Sequence, residues 1–188
     1  RASPELWRCF PWDPSAAAGA PGDPRWTPRE YQGEGRHDAP ERYGAMYLSE
    51  SPVSAVAEQL ARFRGRPFRA AFLRRRGRPL ALARYVLRDT RSVLDLDDPT
   101  VLVTHGLRPS QIATRNRTVT QAIAAAAFDA DPDRGGLRWW STLEASWINV
   151  TLFAERVGDD FTIDPPAVLD AAISPVADAC RVLGLSAP

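Results

Sequence analysis

The chain has 188 residues, 44% of them hydrophobic and 25% charged, a length and balance that fit one globular domain with a sizeable core and exclude wholesale disorder. Its formal net charge of +1 argues against a non-specific polyanion binder. Its longest apolar run, around Ile123–Phe128, is far too short to cross a bilayer.

In chain order, Leu6–Phe10 (LWRCF) reads as a first strand. Residues 11–35 follow, so dense in proline and glycine that no long helix or strand survives there. They read as a long loop that packs down through Trp12, Trp26 and Tyr31. Ala45–Leu48 is a buried strand. Ser51-Pro52 is an N-cap followed by proline at the first helical position. The helix it opens runs to about Arg64, with Val53, Val56, Ala57, Leu60 and Phe63 at helical spacing. Pro67–Leu73 and Leu80–Leu87 are predicted strands joined by the charged turn RRRGR, and Ser92–Leu96 extends the second of them. Asp97-Asp98-Pro99 breaks the chain. Thr118 and Gln121 have capping-box spacing and open a helix through AIAAAAF. Gly136–Ser141 and Trp147–Ala154 are strands, the second alternating Ile148, Val150 and Leu152 with Asn149 and Thr151. Phe161–Ile163 is a short last strand. After Asp164-Pro165-Pro166 come one or two short helices; Ser174-Pro175 starts the second and Gly184 closes it. The connections are too short for regular βαβ units, so the fold class is α+β, a single domain over residues 1–188 with an elaborate loop at 11–35.

All 24 basic residues are arginine. A GC-rich genome explains that bias, but its consequence is physical: every cation is a planar fork matched to phosphate or carboxylate. Cys9 and Cys180 are the only cysteines. They do not make a disulfide scaffold, and together with the absence of a charged-then-apolar leader they predict a reduced, cytoplasmic setting. His37 and His105 share no ligand spacing with each other or with the cysteines, so no metal site is expected. The sequons at Asn116 and Asn149 carry no weight without a secretion signal.

Arg36, Tyr47 and Glu58 lie eleven residues apart, twice over, on a turn-rich loop, a short apolar strand and the following helix. Each has an ordinary structural reading. Arg36 fits an exposed loop. Tyr47 fits a core tyrosine with a wet hydroxyl. Glu58 falls off the apolar stripe of its helix and fits a solvated glutamate, with small Ser54 and Ala61 as neighbours on its face. Ser141, at a strand edge beside two tryptophans, fits packing.

Taken together, the stretch resembles the RES domain, the toxin half of a bacterial toxin–antitoxin class named for its Arg, Glu and Ser. The matching features are Gly35-Arg36, an apolar strand ending Met46-Tyr47-Leu48, and Ser51-Pro52 opening a helix with Glu58 near its middle. Before them stands an early arginine, Arg8, on a first strand. After them come a helix carrying Thr120-Gln121-Ala122, the run Gly136 to Ser141, and a strand ending Leu152-Phe153. The loop between Arg8 and Arg36 departs from the family in being longer and richer in proline and glycine.

The resemblance implies an ADP-ribosyltransferase-like fold, with a central split antiparallel β-sheet flanked by short helices. It also implies an enzyme that consumes NAD+ as a substrate, with no further cofactor. Cleaving the nicotinamide–ribose bond passes through a cationic ribose and releases a neutral leaving group. The site then needs an arginine clamp for the pyrophosphate, an aromatic surface for the pyridinium ring and a carboxylate beside the ribose. Arg36 and Arg8 suit the clamp and Tyr47 the aromatic surface. Glu58 suits the carboxylate, and Ser141 would bond the ribose or place Glu58. The expected role is the toxin of a type II toxin–antitoxin system that arrests growth by NAD+ depletion, through hydrolysis or phosphorolysis. The alternative is ADP-ribosylation of a cellular protein. The expected partner is an Xre-like antitoxin, through which DNA is contacted. Residues 62–78 carry eight arginines, which invites a non-catalytic nucleic-acid-binding module as a lower-ranked reading; the near-neutral chain and lack of a stacking pattern argue against it, and a solvated hairpin or a partner surface accounts for the charge.

Overall fold

A computed structural model describes residues 5–88, 93–158 and 160–186. It is a mixed α+β structure on a mostly antiparallel sheet. The strands are β1 (Glu5–Pro11), β2 (Ala45–Ser49), β3 (Arg74–Arg75), β4 (Arg78–Leu87), β5 (Val93–Asp95), β6 (Gly136–Trp140), β7 (Ile148–Phe153), β8 (Phe161–Ile163) and β9 (Ala167–Val168). The main path runs β3-β4-β1-β2-β7-β6-β5, and β8 and β9 pair with the remaining edge of β4. Among the pairs of described strands, β5–β6 alone is parallel.

The sheet is split. β1 and β4 share a continuous register from Glu5↔Val86 to Pro11↔Leu80, and β2 pairs with β7 along its whole length. Between these halves, β1 and β2 meet at the single pair Trp7↔Ser49. Strand alternation sends Leu6, Phe10, Met46, Leu48, Val150 and Leu152 to one face, where they form a core with Tyr85 and Phe161. On the other face two cores flank the split. One packs α1 (Pro52–Leu60) and α6 (Ser174–Leu183) over Cys9, Leu80 and Leu82. The other packs α2 (Pro99–Thr104), α3 (Pro109–Ala113) and α4 (Arg117–Ala130) over Ala45, Leu137, Trp139 and Phe153. A four-residue α5 (Ala154–Val157) follows β7.

The local signals that succeeded are caps and breakers. Ser51 accepts a hydrogen bond from the Ser54 amide ahead of Pro52, and α1 passes into a 3₁₀ turn over Ala61–Phe63. Gly184 closes α6 with φ +63°. The 11–35 loop is packed down, with Trp12 against the core of β1 and β4, but Tyr31, expected to pack, is 70% exposed. The loop's anchors are polar: Arg8 donates through Nη1 to the Pro24 carbonyl (2.7 Å) and through Nη2 to the Trp26 carbonyl (2.9 Å), and the Gln32 amide pairs with both backbone groups of Ala45.

Three expectations are corrected, and the break at Asp97-Asp98-Pro99 holds with an added role. Pro67–Leu73 is not a strand; Pro67 makes one isolated bridge to Ser186, Ala70–Leu73 forms a 3₁₀ turn that buries Phe72 and Leu73, and ladder pairing begins at Arg74. The RRRGR turn is therefore a two-residue hairpin, with φ of +51° at Arg76 and +79° at Gly77. The segment expected to extend β4 instead forms β5 at the opposite edge of the sheet, parallel to β6; Ser92 lies outside the described residues. The Asp98-Pro99 breaker is itself a helix start, Asp98 capping α2 at the Thr100 amide. Finally, α4 starts at an Asn116 cap rather than at a Thr118–Gln121 box, because Gln121 is engaged elsewhere.

Candidate functional site

Where β1 and β2 part, a cavity of about 270 Å³ opens. Strand β1 supplies Arg8 to its wall, β2 supplies Tyr47, β6 and β7 supply Trp139 and Asn149, α1 supplies Glu58, and the loop before β2 supplies Arg36. The even sequence spacing of Arg36, Tyr47 and Glu58 thus converges in space.

Glu58 is exposed, as its helical position predicts, yet it is not loose. Its Oε1 accepts hydrogen bonds from the Ser141 hydroxyl (2.8 Å) and the Asn149 amide (3.1 Å). The Asn149 carbonyl oxygen in turn accepts from Ser49 (2.6 Å) and Ser54 (3.1 Å), which fixes which way its amide points. Ser141 is 2% exposed and its Oγ also accepts from the Leu143 amide (3.0 Å). With its single proton directed at Glu58, Ser141 is positioned to hold the carboxylate rather than to donate to a ligand.

Arg36 is buried, with 6% exposure, and not the exposed loop residue that its ordinary reading suggests. Its Nη1 donates to the Ile112 carbonyl (2.8 Å) and its guanidinium lies 5.0 Å from the Trp139 ring centroid. Burial and the neighbouring Arg117 pull its pKa below the ordinary arginine value, while Glu58 and Tyr47 favour the charged form. The backbone that carries Arg36 is clamped on three sides. Thr120 of α4 donates to the Arg36 carbonyl (2.6 Å), Gln121 donates to the carbonyls of Gly33 and Gly35 (2.8 and 2.9 Å), and the Asp38 carboxylate accepts from the amides of those same two glycines. A Cβ at Gly35 would collide with that carboxylate, so glycine precedes Arg36 for a steric reason.

The Tyr47 hydroxyl is not wet. It donates to Asp38 (2.7 Å) and accepts from the His37 amide (2.9 Å). Burial, and then the Asp38 carboxylate, push its pKa well above the ordinary phenol value, so it remains a donor. His37 is 2% exposed, bonds Thr151 through Nδ1 (2.9 Å), and is pushed down to about pKa 3 by burial and then by Arg36 and Arg117. It is a neutral structural imidazole that props the turn. His105, by contrast, is exposed.

Arg8 lines the cavity, but both of its terminal nitrogens are committed to loop carbonyls. It acts in this structure as the anchor of the 11–35 loop. Sequence reasoning missed Asn149, Trp139 and Arg117. Asn149 sat in view as a sequon, and the useful signal was its pairing with Thr151 on the polar side of an otherwise apolar strand. That side faces the site rather than solvent; Asn149 is 3% exposed.

No curated protein matches the sequence. Among solved structures the chain is similar to a chain of the M. tuberculosis MbcT–MbcA toxin–antitoxin complex, with a TM-score of 0.63 and 20% identity across 96% of this chain and 88% of that one. At that identity the likeness is one of fold. The RES domain model matches residues 5–172, which take in the split sheet and every residue of the cavity, and on that match the chain belongs to the RES-domain family.

Proposed function

We propose that the protein is the toxin of a toxin–antitoxin pair and that it cleaves the nicotinamide–ribose bond of NAD+. The observation that carries this reading is the Glu58 carboxylate, held on one oxygen by Ser141 and Asn149 in a cavity that also presents Arg36 and Tyr47. A carboxylate fixed in advance stabilises a developing cation without reorganising at the moment of reaction. In the proposed step the C1′–N bond breaks and its electron pair neutralises the pyridinium nitrogen, so nicotinamide leaves as a neutral ring. Glu58 stabilises the ribosyl cation. Water or phosphate adds at C1′, and water loses a proton to solvent on doing so. Arg36 holds a phosphate of the dinucleotide, and the Tyr47 ring meets the nicotinamide. NAD+ is consumed, and no other cofactor takes part.

The partner in this reading is an antitoxin of the Xre-like type. The likeness to a chain from a toxin–antitoxin complex supports the pairing. Among the described residues no helix is long and apolar enough to cross a membrane, in keeping with cytoplasmic action.

The test is incubation of the pure chain with NAD+, with and without phosphate and cell extract, and identification of products by mass. Free nicotinamide with ADP-ribose or its 1″-phosphate is expected. ADP-ribose on extract proteins would instead establish the protein-modifying reading. Expression without a partner should halt growth and lower cellular NAD+. Normal growth with normal NAD+ after verified folded expression would defeat the toxin reading.

A further inference from the structure

The Glu58 cavity, at about 270 Å³, lies below the ~300–1,000 Å³ of sites that enclose a drug-sized ligand, and a dinucleotide is larger than that. A second chamber of about 430 Å³ adjoins it, and the two share Arg8, Cys9, Tyr47 and Gln59 as a common wall. The outer wall is the 11–35 loop, held down by Arg8 and by the Tyr85 hydroxyl on the Pro24 carbonyl (2.6 Å). The floor is the β3–β4 hairpin, which brings Arg75, Arg76 and Arg78 to the chamber against one lining carboxylate, Asp23. Trp26 and Tyr31 add aromatic surface, and Tyr31 is 70% exposed without a packing role.

Two further features of the hairpin point to a ligand. Among the described residues no carboxylate pairs with Arg75 or Arg76, although Arg75 is partly desolvated and both Arg62 and Arg76 bear on it as like charges. Arg75 is steered instead by the Gln59 side chain of α1 (3.0 Å), one residue past Glu58. Arg76 is the sole described non-glycine residue at positive φ. It occupies the first position of a tight two-residue hairpin turn, where asparagine, aspartate or glycine is favoured, and a strained backbone kept at such a place motivates a functional reading.

We propose that this chamber is the subsite for the adenosine diphosphate half of the substrate. Arg75 and Arg76 grip the pyrophosphate, and the Trp26 and Tyr31 rings offer a stacking surface to the adenine, as aromatic side chains do for bases generally. The inference rests on the NAD+-cleaving reading for its substrate but assigns residues which that reading does not use. It makes the loop and hairpin, rather than the Glu58 cavity, the determinants of preference for a dinucleotide over a mononucleotide.

The discriminating variant is Arg76→Asn, because it gives the turn its favoured Asn-Gly pair and so keeps the fold; Arg75→Gln is its companion. Turnover of NAD+ and of nicotinamide mononucleotide, which has the same scissile bond and no adenylate, is measured alongside calorimetric binding of ADP. The expected result for Arg76→Asn is a melting temperature equal to or above that of the parent, weakened ADP binding, and a NAD+/mononucleotide ratio of kcat/KM reduced by about tenfold or more through KM. Equal losses on both substrates, or an unchanged ratio with unchanged ADP binding, overturns the subsite. If the parent cleaves neither substrate, the proposed reaction fails, and ADP calorimetry still decides the chamber: binding lost in the variants upholds it, and no binding to the parent overturns it.

Discussion

Glu58 separates catalysis from stability more cleanly than any other position. Its side chain is exposed and contributes nothing to the apolar cores, while one carboxylate oxygen takes two hydrogen bonds. In Glu58→Gln the amide oxygen still accepts both, so stability should stay within about 0.5 kcal/mol. In the proposed reaction this change removes the charge opposite the cationic ribose, and turnover should fall by about a hundredfold or more. Thermal melting with NAD+ kinetics on one preparation checks this; turnover at the original rate would move the central carboxylate elsewhere. Arg36→Lys keeps a charge and discards the planar fork. A lysine ammonium also has no flat face to lay on Trp139. Activity should drop by about tenfold or more, which is roughly 1.4 kcal/mol in transition-state binding. Unchanged kinetics would leave Arg36 with its structural bond to Ile112 alone.

At the scale of elements, the site depends on two structures that pack elsewhere for their own reasons. Helix α1 is seated by Val56, Ala57 and Leu60 against α6 and β4, and that seat points Glu58 into the split. Helix α4 is seated by Ala124 and Ala127 over β6, and its first turn grips the loop bearing Arg36. Gln121 is the half-buried part of that grip. Gln121→Ala removes two hydrogen bonds to loop carbonyls and should lower stability by about 1–2 kcal/mol, with a rise in KM for NAD+ as Arg36 loses its fixed position. Denaturant midpoints and steady-state kinetics measure the two effects separately. A stability loss with unaltered KM would mean that Thr120 and Asp38 hold the loop unaided.

For the whole molecule, the buried neutral His37 ties the site to pH. Its folded pKa lies near 3 against an ordinary 6.5, with burial the main cause. Below 6.5 the unfolded chain takes up a proton that the folded chain refuses until about pH 3. Stability from this group is therefore fully present above 6.5 and is lost progressively as pH falls through that window. Urea midpoints from pH 7 to pH 4 should fall more steeply in the parent than in His37→Gln, which has no imidazole to protonate. Parallel slopes would show that His37 is not the responsible group.

The sequence by itself determined the elements whose signals are local: the Ser51-Pro52 start of α1, the Gly184 stop of α6, the alternation in β7 and the proline-dense loop. It also carried the spacing of Arg36, Tyr47 and Glu58, because a family pattern is written in the chain. What needs long-range contact was decided by the tertiary structure. Strand β5 leaves β4 for a parallel place beside β6 because edge pairing depends on which neighbour is free, and no local propensity encodes that. Within the stretch expected as a strand, Ala70–Leu73 turns as a 3₁₀ segment, and that turn brings Phe72 and Leu73 into one core together. Asn149 became part of the site, and Arg8 became the anchor of a loop, through partners 91 and 16–18 residues away. A side chain's chemistry is legible from its type, but its partner is chosen only when the split between β1 and β2 brings distant residues to one wall.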